Sequence, residues 1–199
     1  MTGLIQNIIE QSGYFGIFAL MILENVFPPI PSEIIVPFAG YVAARGDLSA
    51  IGVVISATLG SVCGTFIWYL LARWFGEERL RRLVARHGRW ITMNQRDITR
   101  ASKWFERFGA WAVFLGRLVP TVRTLISIPA GLVCMSPLKF FLCTLAGSLL
   151  WVCVLTWLGL QLDEHYDRVE AWLSPVTTAV IAVIVITYIW RVIRYKPDE

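Results

Sequence analysis

Three stretches of this chain run twenty residues or more without a charged side chain: residues 48–72, 140–162 and 171–190. A helix needs roughly 20 residues to cross a hydrocarbon core of about 30 Å. Only a backbone that satisfies its own hydrogen bonds is tolerated there. Charge bounds each run, with Asp47 and Arg73, Lys139 and Asp163, and Glu170 and Arg191 at the ends. Aromatics lie near the ends, Trp68, Tyr69 and Trp74 on the first run and Tyr188, Trp190 and Tyr195 by the third. They suit the headgroup region and serve equally as packing residues. Composition points the same way: 56% of the residues are hydrophobic and 16% charged, where a soluble domain carries about 25% charged. The fold class expected is an all-α integral membrane protein.

Two further apolar regions are interrupted. Residues 14–44 contain Glu24 and Glu33 with Pro28, Pro29, Pro31 and Pro37. Residues 108–138 contain Arg117 and Arg123 with Pro120, Pro129 and Pro137. The uncharged pieces that open them, 11–23 and 108–116, are too short to cross alone. Each region therefore reads as a re-entrant hairpin of two short helices. The breaks fall at Pro28, Pro29 and Pro31 in the first and at Pro120 and Pro129 in the second. Residues 11–23 have the length of a signal-peptide core, but no Lys or Arg precedes them and Glu24-Asn25 follows. No signal peptide is expected.

Positive charge sets the orientation. From Arg73 to Arg107 there are ten Lys or Arg residues against four acids, which places this loop in the cytoplasm. The net charge of +4 is thus a matter of topology, and nucleic acid is not an expected partner. The acidic residues 163–170 suit the outside, and the tail with Arg191, Arg194 and Lys196 suits the inside. The crossing near 140–162 then runs from inside to outside. Residues 108–138 must start and end on the same side, as a hairpin does. By the same parity the first hairpin opens outward, with the N-terminus outside and the C-terminus cytoplasmic.

The expected organisation is one membrane domain. It comprises a surface helix (1–12), a hairpin (13–45), a crossing (48–72), cytoplasmic amphipathic helices (73–107), a second hairpin (108–138), a crossing (139–162) and an additional C-terminal transmembrane helix (171–192). Pro37-Phe38-Ala39-Gly40 is echoed by Pro129-Ala130-Gly131. One crossing per unit inverts the second unit, giving an inverted repeat of hairpin plus transmembrane helix, an architecture of transporters. Between the units, Leu80, Leu83 and Val84, and then Ile98, Ala101, Phe105 and Phe108 after a cap at Asn94 or Asp97, mark helices lying on the membrane surface. Gly60 and Gly64 read as a helix-packing pair.

The four interrupting charges carry the functional signal. An Arg or acid at mid-membrane costs about 2.5–3.5 kcal/mol on the insertion scale, so each needs a partner or water. On a straight helix Arg117 and Arg123 would diverge by roughly 120°, whereas a break at Pro120 lets both converge. Two forked guanidiniums suit a phosphate. Glu24 and Glu33 on the opposing hairpin face them, and a carboxylate balanced between burial and a neighbouring guanidinium can load and release a proton. Arg117 and Arg123 are the expected phosphate-binding residues, and Glu24 and Glu33 the expected proton-coupling residues.

The stretches Leu23-Glu24-Asn25-Val26-Phe27-Pro28-Pro29-Ile30-Pro31-Ser32-Glu33 and Phe114-Leu115-Gly116-Arg117-Leu118-Val119-Pro120-Thr121-Val122-Arg123-Thr124, followed by Ile128-Pro129-Ala130-Gly131, resemble the DedA family. This family is also called the SNARE-associated or VTT-domain superfamily. The resemblance spans roughly residues 10–160. It implies a bacterial inner-membrane protein with two opposed re-entrant hairpins. It also implies movement of undecaprenyl phosphate or a phospholipid between leaflets, often driven by the proton motive force. The family's essential acids and arginines map to Glu24, Glu33, Arg117 and Arg123, and some members have Asp where this chain has Glu33.

Neither metal nor cofactor is expected. Cys63, Cys134, Cys143 and Cys153 lie in apolar runs without ligand spacing and read as small buried hydrophobes. His87 and His165 lie in polar connecting segments. The sequence lacks HExxH, GxSxG and clustered histidine, so an enzyme is not expected. The partners expected are membrane lipids and protons. A homo-oligomer is compatible with the sequence but not required by it. The alternative function is a proton-coupled exporter of small ions or drugs, which would use the same acids but gives less reason for paired arginines. A chaperone-like membrane protein is a third reading.

Overall fold

A computed structural model describes residues 2–26, 32–79, 82, 95–119, 122–123 and 125–161. The described residues are helical, with no strand among them. The helices are α1 (Thr2–Val26), α2 (Ser32–Ala44), α3 (Ala50–Phe75), α4 (Gln95–Arg117), α5 (Ser127–Leu132) and α6 (Pro137–Gln161). Two of them, α3 with 26 residues and α6 with 25, are long and apolar enough to cross a membrane. Residues 162–199, which include the expected C-terminal crossing, lie outside the described set, as does most of the expected surface helix around Leu80–Val84.

Both α1 and α4 bend at a glycine. Gly13 has φ 54° and ψ −129°, and Gly109 has φ 48° and ψ −121°. Only glycine adopts such a backbone without strain. Each kink separates a leading helical segment from a short arm, residues 14–26 in α1 and 110–117 in α4. The helix expected near 94–108 is thus set off from the arm of the second apolar region by the break at Gly109.

The four short segments pack on the two long helices in a crossed pattern. The α1 arm lies along α3 and the α4 arm against α6, while α2 packs on α6 and α5 on α3. Small residues bring the backbones together. A Cβ at Gly64 would lie 2.8 Å from Cβ of Asn25, and one at Gly147 would lie 2.7 Å from Cβ of Arg117. Gly40 and Gly159 let α2 and α6 touch, and a Cβ at Gly159 would collide with the carbonyl of Pro37. Pro37 lies inside α2, where its ring crowds the carbonyl of the preceding turn.

The long helices run antiparallel. Ser61 bonds to Ser148 at 3.4 Å, and Tyr69 stacks on Phe140 with ring centroids 4.3 Å apart. Eight residues forward on α3 are thus eight residues back on α6. Two apolar clusters mark the two ends of this pair. One joins Ile9, Ile17, Ile35, Phe38, Val53, Ala57 and Val152; the other joins Tyr69, Phe105, Val113, Ile126 and Phe140. Between them lies a polar layer of buried Thr58, Ser61, Thr65, Thr144 and Ser148.

Polar ties hold the ends. The backbone N–H of Ser49 donates to the Tyr14 hydroxyl at 2.7 Å. At the other end Arg73 donates to the Met135 carbonyl and to the Tyr69 hydroxyl, each at 2.8 Å. This clamp fixes the turn after α5, where Cys134 holds a left-handed φ of 52°. The cysteines correct the sequence expectation: Cys63, Cys134 and Cys153 are exposed and Cys143 is only partly covered. In an aqueous protein apolar runs are buried, but here large apolar side chains such as Ile51, Leu70, Leu142 and Trp157 are themselves on the surface, as lipid-facing helices require.

The substitution Gly159→Val is expected to destabilise the fold by about 1–3 kcal/mol through overpacking, read as a lower unfolding temperature in detergent. Leu158→Val, on the exposed face beside it, is expected to stay within about 0.5 kcal/mol of the parent.

Candidate functional site

The polar layer closes around four charges. Glu24 lies in the last turn of α1, Glu33 in the first turn of α2, Arg117 at the end of α4 and Arg123 in the turn before α5. Glu33 and Arg117 sit at the helix ends whose dipoles favour their signs, whereas Glu24 lies at an unfavourable C-terminus. Its charge is met instead by Arg123. The Arg123 Nη2 group donates to Oε1 of Glu24 in a buried ion pair, and Oε2 of Glu33 lies 3.8 Å from the same nitrogen. Glu24 is 4% exposed, Arg117 2% and Arg123 7%. The side chain of Glu33 is 32% exposed, so it forms the open edge of the cluster.

Arg117 joins the cluster differently. Its Nη1 group donates to the carbonyl of Arg123 at 3.1 Å, which fixes the turn between the two arginines. Its Nη2 group donates to the Thr65 hydroxyl. Its Nε is buried without a partner among the described residues. A guanidinium binds an oxyanion with two parallel N–H groups. Nε with Nη2 is such a pair, and half of it is uncommitted. Ser127 Oγ at the start of α5 and Thr144 Oγ1 on α6 are also buried and unpartnered among the described residues. Antiparallel packing puts Thr144 level with Thr65, midway between the two α3–α6 contacts above.

Two residues that bond to this cluster escaped the sequence reading. Asn25, 1% exposed, donates from Nδ2 to Oε2 of Glu24 at 2.7 Å and to the Met21 carbonyl at 2.8 Å. The Thr65 hydroxyl lies 3.1 Å from its Oδ1, and Trp68 Nε1 donates to its carbonyl at 3.0 Å, capping the end of α1. Asn25 had a legible signal, an amide beside an acid inside an apolar run. Thr65 had none, because one hydroxyl in a transmembrane helix is ordinary. Of the expected hairpin-breaking residues, Pro28, Pro29, Pro31 and Pro120 lie outside the described set. Pro129 occupies the third position of α5, a first-turn site where proline is tolerated.

Buried charge of both signs thus meets at the junction of four helix ends, between two antiparallel apolar helices. Residues 30–161 match the VTT domain. This chain belongs to the VTT-domain family. The family match includes Glu33, Arg117 and Arg123. Among its relatives, the undecaprenyl phosphate transporter A of Staphylococcus aureus is 40% identical over 98% of this chain and 96% of its own length. The undecaprenyl phosphate transporter A of Bacillus subtilis is 31% identical, over 98% and 97% respectively. A protein of Lactococcus lactis subsp. cremoris named alkaline phosphatase-like protein is 39% identical, over 95% and 89%. No solved structure matches the chain. Among the described residues no three His, Cys, Asp or Glu side chains group as a metal site.

Removing one member of a buried ion pair costs about 3–5 kcal/mol, because the other is left uncompensated. Arg123→Leu is therefore expected to destabilise the protein by that order. The double variant Arg123→Leu/Glu24→Leu is expected to recover part of the loss. Thermal unfolding of the four-membered cycle in detergent measures the coupling, and additive losses would show that the pair is not a unit.

Proposed function

We propose that this protein moves a phosphate-bearing lipid, undecaprenyl phosphate first among the candidates, between the leaflets of a bacterial inner membrane, coupled to the proton motive force. The observation that carries the reading is the pair of buried arginines. Arg117 and Arg123 lie together at mid-height of the long helices, and Arg117 keeps half of a guanidinium edge, its Nε, uncommitted. A lipid phosphate fits that edge, while its prenyl chain stays in the apolar surroundings. Membership of the family, and the printed name of the Staphylococcus and Bacillus relatives, favour undecaprenyl phosphate as the cargo.

The acids supply the coupling. Glu24 is paired with Arg123, and Glu33 lies beside the same guanidinium. A phosphate that draws Arg123 away leaves Glu24 buried without its counter-charge, and a proton then replaces it. Release of the lipid returns the arginine to the acid and expels the proton. Loading and release on opposite sides would couple lipid to proton. A small-ion or drug exporter would use the acids but would leave the paired guanidiniums without a role.

The membrane arrangement proposed with it is an inverted repeat of two units, each a surface helix, a re-entrant hairpin and a crossing. The equivalent kinks at Gly13 and Gly109 and the crossed packing of arms and returns on α3 and α6 support it. So does arm length: residues 14–26 and 110–117 are too short to span about 30 Å. In this arrangement Asp47 lies outside and Ser136 inside. Single cysteines at these positions, in a chain stripped of its native cysteines, are expected to react with an impermeant thiol reagent from opposite sides of the membrane. Labelling of both from one side would overturn the topology.

The function is tested by reconstitution. Exchange of undecaprenyl phosphate between liposome leaflets is expected to be stimulated by a pH gradient and to fall roughly tenfold or more, about 1.4 kcal/mol, in Arg117→Ala/Arg123→Ala. Arg→Lys at either position is expected to impair exchange as well, because an ammonium lacks the planar fork. Glu24→Gln and Glu33→Gln are expected to remove the gradient dependence. Movement of small cations without lipid would sink the proposal in favour of the exporter.

A further inference from the structure

Arg117 and Glu24 carry opposite charges yet form no direct ion pair among the described residues. Two neutral side chains stand between them. Arg117 Nη2 donates to the Thr65 oxygen, Thr65 faces Asn25 Oδ1, and Asn25 Nδ2 donates to Glu24. The backbone closes the path into a ring, since Arg117 also holds the carbonyl of Arg123, whose side chain is paired with Glu24.

The direction of each bond follows from which groups can donate. Arginine has only donors, so Thr65 must accept from it. Asn25 commits both amide protons, to the Met21 carbonyl at 2.8 Å and to Glu24 Oε2 at 2.7 Å. Turning the amide over would set its oxygen against two acceptors, so the orientation is determined by chemistry. Oδ1 therefore faces Thr65 and takes the one proton that the hydroxyl can give. The Ser61 carbonyl lies within reach of the same proton. Thr65 thus has two settings, one that completes the path to Glu24 and one that breaks it. Thr65 and Asn25 are 0% and 1% exposed, so bulk water does not compete for these bonds.

We propose that Thr65 and Asn25 are positioning residues that form a relay, through which capture of a phosphate by Arg117 is coupled to protonation of the Glu24 carboxylate. The inference rests on the phosphate and proton reading above and adds how the two events are linked. A phosphate that takes Nη2 together with the uncommitted Nε withdraws the donor from Thr65. The hydroxyl turns to Ser61, and Asn25 Oδ1 loses its proton donor. Bonds in such a chain polarise one another, so the Asn25 bond to Glu24 weakens as Arg123 turns to the phosphate. Glu24 then accepts a proton from the aqueous side of the cluster, and no bond of the phosphate ester is made or broken.

The test uses purified full-length protein in detergent with a short-chain prenyl phosphate as the probe. Proton uptake is followed in weakly buffered solution at saturating probe and expressed per probe bound. Ionisation of the free probe contributes equally to every variant. The parent is expected to take up protons on binding. Thr65→Val, which keeps the shape and removes the hydroxyl, and Asn25→Leu are expected to bind the probe with uptake per bound probe reduced several-fold. Thr65→Ser is expected to restore the parent value, which a purely structural role for the threonine methyl would not predict. Parent-like uptake in folded Thr65→Val, or failure of Thr65→Ser to rescue, overturns the relay. Binding by the parent with no proton uptake also overturns it and leaves the phosphate site standing. Absence of probe binding by the parent overturns both readings.

Discussion

A charged side chain removed from water persists only where another group meets it, and the buried pairing of Arg123 with Glu24 meets that demand for two charges at once. Nearly every other feature of the interior serves this contact. The arm of α1 must end at the height at which the turn after α4 ends. Gly64 and Gly147 make room for the two arms at that height, one against Asn25 and the other against Arg117. Apolar clusters above and below keep the polar layer between them. The layer is nevertheless incompletely committed. Arg117 Nε and the Ser127 and Thr144 hydroxyls are buried without partners among the described residues, an arrangement that favours an anion more than it favours stability.

The crossed packing of the short helices ties the site to both long helices. Each long helix carries the arm of one region and the return of the other. Arg123, in the turn between α4 and α5, is therefore tied to both long helices, whereas Glu24 on α1 is tied to α3.

Much of this was legible from residue patterns alone. Length without charge located α3 and α6, because the bilayer admits few alternatives. Charges and prolines inside apolar regions located the four ionised residues, because nothing apolar explains them. Other features were not legible. The kinks at Gly13 and Gly109 each depend on a single backbone conformation that glycine permits but does not announce. The exposed cysteines were misjudged because apolar character says nothing about whether a residue faces protein or lipid. Thr65 could not be distinguished from other hydroxyls on the same helix until Arg117 was placed against it.

Sequence by itself determined that the chain is helical and membrane-bound, and it singled out Glu24, Glu33, Arg117 and Arg123 as charges that interrupt apolar regions. Those conclusions follow from transfer free energy, which depends on composition along the chain and on little else. Only the tertiary structure decided which acid meets which arginine, since Glu24 and Arg123 are brought together by the packing of α1 on α3 and α4 on α6. It also decided that Arg117 is held by Thr65 rather than by an acid. Hydrogen bonds and ion pairs act over about 3 Å, and contacts between residues so distant in the chain are set by the packing of whole helices.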